Sequence, residues 1–219
     1  MRVEHHEGTA AELHALAMPE GDAGPALWVL RPTAPALVMG SAQREADFDV
    51  DSLQTDGVAL APRRSGGGAV FIEPAGVVWV DVLAPRGSAY WSDDLGETFL
   101  RVGERWQAAL AEVGVASEIV RASPDRSAEA RLACWAGLGW GEVTVDGAKI
   151  VGLSMRRTRW GARIQGMGVI DASADRAPIW LHGLDNEQRQ QLRDRIGHVG
   201  LEVERDELER AVLAELSRP

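Results

Sequence analysis

The stretch EVTVDGAKIVGLSM, residues 142–155, limits this chain's folding more than any other. Two runs of strand-forming residues flank Asp146-Gly147. An Asp-Gly pair suits the tight turn in which both central residues have positive φ and whose twist matches the flanking strands. The spacing predicts a β-hairpin with Lys149 near the start of its second strand. Lys149 is also the only lysine: the other 22 of the 23 basic side chains are arginine. Either an arginine-favouring composition has left one lysine by chance, or this position needs a compact, movable ammonium rather than a planar fork.

Around the hairpin the patterning alternates between short strands and helices. Residues 9–17 read as a short helix capped by Thr9. Strands are expected at 26–30, 35–40, 77–84, 116–120 and 162–170, and a strand, loop and strand across 57–71. Leu95, Phe99, Val102, Trp106, Leu110 and Val113 recur at helical spacing, which predicts a helix over 93–113 capped by Ser92 and ended by Gly114. Residues 121–130 read as a polar connection, and two short helices at about 186–216 close the chain. Strict βαβα alternation is absent, so the expected class is α+β, a mixed sheet flanked by helices. Residues 1–219 fit a single domain with no large accessory domain.

Composition narrows the function classes. The net charge of −10 argues against a general nucleic-acid binder, which needs a basic face. No apolar run approaches the ~20 residues of a membrane span, and the N-terminus lacks a signal-peptide core. One cysteine, Cys134, excludes an internal disulfide and suits a reducing cytoplasm. No Cys/His spacing suggests a metal site.

RRSGGGAVF, residues 63–71, carries the second chemical signal. Three glycines between strands are entropically costly. Gly66, Gly67 and Gly68 allow close backbone approach and inward N–H groups, which suit a phosphate or carboxylate, and Arg63 and Arg64 add charged donors. The alternative is a flexible turn beside two solvated arginines. A phosphate-binding P-loop is excluded, because no Gly-Lys-Ser/Thr follows and a strand succeeds the glycines.

RRSGGGAVF, together with PALVMGSAQ (35–43) and VDGAKIVGLSMRRT (145–158), resembles the superfamily of lipoate-protein ligase A, octanoyltransferases and biotin ligases. The resemblance implies the fold of their catalytic domain. It also implies that Lys149 meets the acyl carbonyl, and that Arg63, Arg64, Ser65, Gly66, Gly67, Gly68 and Ala69, with Gly152 and Ser154, bind the donor. A positioned ammonium stabilises the charge that develops on an attacked carbonyl. LACWAGLGWGEVTVDGAK, with Glu142 and the hairpin, is similar to the cysteine-bearing segment of the octanoyltransferase branch. There Cys134 would carry the acyl group as a thioester; the competing reading is a buried structural cysteine.

The expected reaction is transfer of an octanoyl or lipoyl group to a lysine of a lipoyl carrier domain. A transferase needs no cofactor and takes its donor from an acyl carrier protein; an ATP-dependent ligase would use ATP and Mg and form an acyl-adenylate. Two departures keep a third reading open, a non-catalytic lipoate or acyl-carrier binder. Ile72-Glu73 stands where the family commonly has His-Asp, and Ile164-Gln165-Gly166 where it has Gln-His-Gly. His5 and His6 read as a solvated terminus, and His182 and His198 as surface or core. Trp79, Trp135, Trp140 and Trp160 either wall an aliphatic channel or fill the core. RRTRWGAR (156–163) is expected at the site mouth, attracting an acidic carrier or clamping donor phosphates. Strand alternation predicts Arg157, Arg159 and Arg163 on one face, as carrier-docking residues, and Arg156 on the other.

Overall fold

A computed structural model describes residues 1–21, 23–197 and 200–218; His198 lies outside them. Its strands are β1 (Arg2–Gly8), β2 (Ala26–Pro32), β3 (Ala36–Met39), β4 (Ala59–Pro62), β5 (Val70–Ile72), β6 (Val77–Pro85), β7 (Glu118–Ile119), β8 (Val143–Val145), β9 (Ala148–Thr158) and β10 (Gly161–Val169). Its helices are α1 (Ala10–Ala15), α2 (Val50–Thr55), α3 (Leu95–Glu112), α4 (Ala128–Leu132), α5 (Asn186–Ile196) and α6 (Arg205–Ser217). A seven-stranded sheet runs β1-β2-β6-β10-β9-β8-β7, and a three-stranded sheet runs β4-β3-β5. The β1–β2 and β3–β4 pairs are parallel and the others antiparallel. The fold is α+β, as expected.

β6 shows why an almost unbroken apolar run belongs inside the large sheet. Its side chains alternate between two covered faces. Val78, Val80 and Val82 pack with Trp106 and Leu110 of α3 and Leu208 and Val212 of α6. Val77, Trp79 and Leu83 pack with Phe71, Leu37 and Trp180 on the side of the small sheet. Asp81 is wholly buried on this second side, where Trp79 Nε1 donates to it at 2.8 Å and Arg163 Nε at 2.6 Å. A buried carboxylate persists only when paired and hydrogen-bonded in this way.

The Asp146-Gly147 turn forms as the sequence predicts, with φ of 50° and 81°. A register shift between Val143 and Thr144 sets Lys149 opposite Thr144. Thr9 caps α1 in a reciprocal box with Glu12.

Three expectations are corrected. The terminus carrying His5 and His6 is not a free solvated end but the edge strand β1, with Trp28 Nε1 bonded to Glu4 and the His6 ring 5.0 Å from that indole. Asp94, not Ser92, caps α3: its carboxylate accepts from Glu97 N at 2.9 Å, while Ser92 accepts from Arg157 and Thr98 through its carbonyl. The 121–130 connection ends in α4, capped by Ser127. α2 and a 3-10 turn at Ala172–Trp180 have no counterpart in the expected pattern.

Candidate functional site

The glycine loop lies between β4 and β5 and is packed backbone against backbone. A Cβ on Gly40 would fall 1.8 Å from the Gly67 carbonyl oxygen, and one on Gly68 2.6 Å from Ala133 N. Gly67 has φ of 100°, and a Cβ there would meet Arg63 Nη2 at 2.7 Å and Cys134 Sγ at 3.4 Å. These approaches require glycine. Ala69 N donates to Leu132 O and its carbonyl accepts from Cys134 N, both at 2.9 Å. Gln43 strengthens the same seam: its carbonyl accepts from Gly40 N at 2.9 Å, and its amide donates to Leu132 O at 3.1 Å. The loop and the cysteine segment are therefore one assembly.

Cys134 opens a 3-10 turn, Cys134–Ala136, and is partly exposed. Lys149 is buried beside it. Its ammonium donates to Cys134 O at 2.7 Å and to both Glu142 carboxylate oxygens at 2.9 Å. Burial pushes the Glu142 carboxyl up, against the pull of the Lys149 charge. The expected mobile tip is thus corrected: three oxygens hold the ammonium, and Trp135 lies 5.7 Å away. This geometry suits lysine, because three short bonds converge on one nitrogen.

Cys134 lines two cavities. One is an apolar slot of about 40 Å3 walled by Val70, Ile72, Trp79, Trp135 and Met167. The other is a pit of about 150 Å3 that reaches Lys149 and Glu142 between Phe99, Leu138 and Trp140. Gly152 lines the slot, and Ser154 lines both cavities. Trp79, Trp135 and Trp140 are thus wall residues as well as packing.

The loop arginines separate. Arg63 is buried, donates to Gly68 O at 2.8 Å and lines the slot, so it braces its own loop from within the site. Arg64 lines a third cavity of about 270 Å3 with Ser65, Arg156, Arg159 and Trp160.

The expected arrangement of RRTRWGAR is corrected. Arg163 pairs in register with Arg156, so these two share a face and Arg157 takes the other. The turn at Arg159-Trp160 breaks the alternation that the expectation carried across it. Arg163 is buried against Asp81 and donates to Leu13 O at 2.9 Å, so it ties α1 to the sheet and presents no docking surface. Arg157 lies 4.5 Å over Trp91 and donates to Asp93 O and Thr98 Oγ1. Arg156 and Arg159 are the exposed members.

Sequence reasoning missed His14. Its ring is 4.6 Å from the Trp79 ring, and Nδ1 lies 3.2 Å from Gln165 Nε2. Burial, then the nearby charges of Arg63 and Arg163, push it down to about 3, so it is neutral. One histidine on a helix carries no signal of this; only the fold brings it to Gln165. His182 is exposed in a broad groove with Gln43, Gly67 and Arg131.

The family model for the lipoyl protein ligase A/B catalytic domain matches residues 9–214, and the chain belongs to that family. Among curated relatives, the octanoyltransferase LipM of Moorella thermoacetica is 27% identical over 140 residues, 63% of this chain and 50% of that protein. The chain thus matches about half the length of that relative. The fold is shared with a bipartite lipoate protein ligase of Thermoplasma acidophilum, described with its E2 lipoyl domain. That likeness has a TM-score of 0.75 and 19% identity, covering 99% of this chain and 82% of that one. A lipoate-protein ligase A bound with ATP is similar at TM-score 0.73 and 19% identity, covering 99% and 83%.

Proposed function

We propose that this chain transfers an octanoyl or lipoyl group to a lysine of a lipoyl carrier domain through a thioester on Cys134. The carrying observation is the placement of Cys134 between the slot and the pit that reaches Lys149 and Glu142. In this reading the acyl chain enters by the slot, which at about 40 Å3 must widen to take it. The Cys134 thiolate attacks the donor thioester carbonyl; a carbon–sulfur bond forms, and the donor sulfur leaves and takes up a proton. The acceptor lysine, as neutral amine, then enters by the pit and attacks the Cys134 thioester. An amide forms, the Cys134 sulfur leaves, and the amine proton passes to it. Lys149 fixes the cysteine segment through the Cys134 carbonyl; with its three N–H donors held by Cys134 O and Glu142, it acts by positioning the sulfur. Membership of the family and the likeness to LipM support this reading.

The cavity of Arg64, Arg156 and Arg159 favours a second reading. Three arginines beside the slot suit the phosphates of ATP in an ligase-type reaction. They also suit an acidic carrier, for which Arg159 is the exposed one of the three arginines expected to dock it. Intact-mass measurement of an apo lipoyl domain separates the readings. With octanoyl carrier protein as donor and no ATP, octanoylation is expected, and Cys134→Ser abolishes it. Octanoylation only from free octanoate with ATP, insensitive to Cys134→Ser, selects the ligase.

A further inference from the structure

We propose that His14, with Gln165, is the end wall of the acyl slot and sets the length of chain that this site accepts; this rests on the acyl-transfer reading above. Both side chains line the slot and also the arginine-lined cavity behind it, so they are the partition between the two spaces. On the slot side stand Val70, Ile72 and Met167. On the other side stand Arg64, Arg156 and Arg159. A chain that ends at the partition stays in a mostly apolar space, in which the Arg63 guanidinium is bonded to Gly68 O. A longer chain must displace the partition or extend a methyl end among guanidinium groups, which disfavours it.

The wall is firmly held. The His14 ring lies against Trp79, and Nδ1 meets Gln165. The Gln165 carbonyl accepts from Ser154 at 3.2 Å and from Ser65 at 3.4 Å, which links it to the hairpin and the glycine loop. Arg163 anchors the helix that bears His14 through the carbonyls of Leu13 and Leu16. The neutral imidazole adds no charge to the chain end. Removing the ring joins the slot to about 270 Å3 of further space.

The test is kcat/KM for octanoyl, decanoyl and dodecanoyl thioester donors with the wild type, His14→Ala and His14→Phe. The wild type should favour octanoyl. His14→Ala should raise the dodecanoyl-to-octanoyl ratio at least about tenfold, as expected when methylenes gain or lose pocket space. His14→Phe refills the space and should restore the octanoyl preference. Gln165→Ala opens the same wall from β10 and should move the ratio in the same direction, so the inference remains testable if α1 tolerates no alanine. A ratio unchanged in whichever opened variant folds and still transfers octanoyl would overturn the inference. Absence of octanoyl transfer by the wild type would instead refute the acyl-transfer reading.

Discussion

Lys149 holds its place through three oxygens rather than through freedom of movement. Its ammonium bonds Cys134 O and both oxygens of Glu142 in a space that leaves its side chain 2% exposed. Truncating it would leave a buried carboxylate unpaired, a loss of about 3–5 kcal/mol that would obscure any catalytic effect. Lys149→Arg keeps the charge and is the cleaner probe. The longer planar fork cannot converge on the same three oxygens, and overpacking costs about 1–3 kcal/mol. Transfer should fall about 100-fold, the order of loss when reacting atoms are misplaced by about 1 Å. Steady-state transfer beside a urea melt checks this. Near-normal transfer in a folded Lys149→Arg protein would make the single lysine an accident of composition.

At the scale of elements, the site is assembled from segments whose backbones touch. Gly40 follows the β3 strand, Gly67 and Gly68 form the loop, and Leu132-Ala133 precedes Cys134. Gly40→Ala should force the loop away from the cysteine segment, because its Cβ would meet Gly67 O at 1.8 Å. The expected outcome is a stability loss of about 1–3 kcal/mol and a transfer loss greater than thermal destabilisation explains. Thermal melts with transfer assayed well below the melting temperature test this; full activity would show that the seam does not position Cys134. The sequence made much of this assembly legible. The hairpin was readable because Asp146-Gly147 demands positive φ, and the glycine triplet because three glycines between strands need a reason. Gln43 lay in a motif already singled out, but its bond to Leu132 was not readable, since it joins segments 89 residues apart.

At the scale of the whole molecule, the large sheet carries one face toward α3 and α6 and the other toward the site. This division explains what one-dimensional patterning missed. β6 reads as an almost unbroken apolar run because both faces are covered, and its pattern does not show that Asp81 pairs with Arg163 inside the molecule. Arg163 reads as a docking residue in a basic run, yet Asp81 and α1 draw it inside. His14 and Gln165 are 151 residues apart and meet only across the sheet. The central claim is that Cys134 carries the acyl group between slot and pit. Its most direct test is intact-mass spectrometry after incubation with octanoyl carrier protein, without ATP and without an acceptor domain. The account predicts one octanoyl adduct mapped to Cys134, absent in Cys134→Ser and discharged when apo lipoyl domain is added. No adduct on Cys134, with the lipoyl domain still octanoylated by the Cys134→Ser protein, would contradict it.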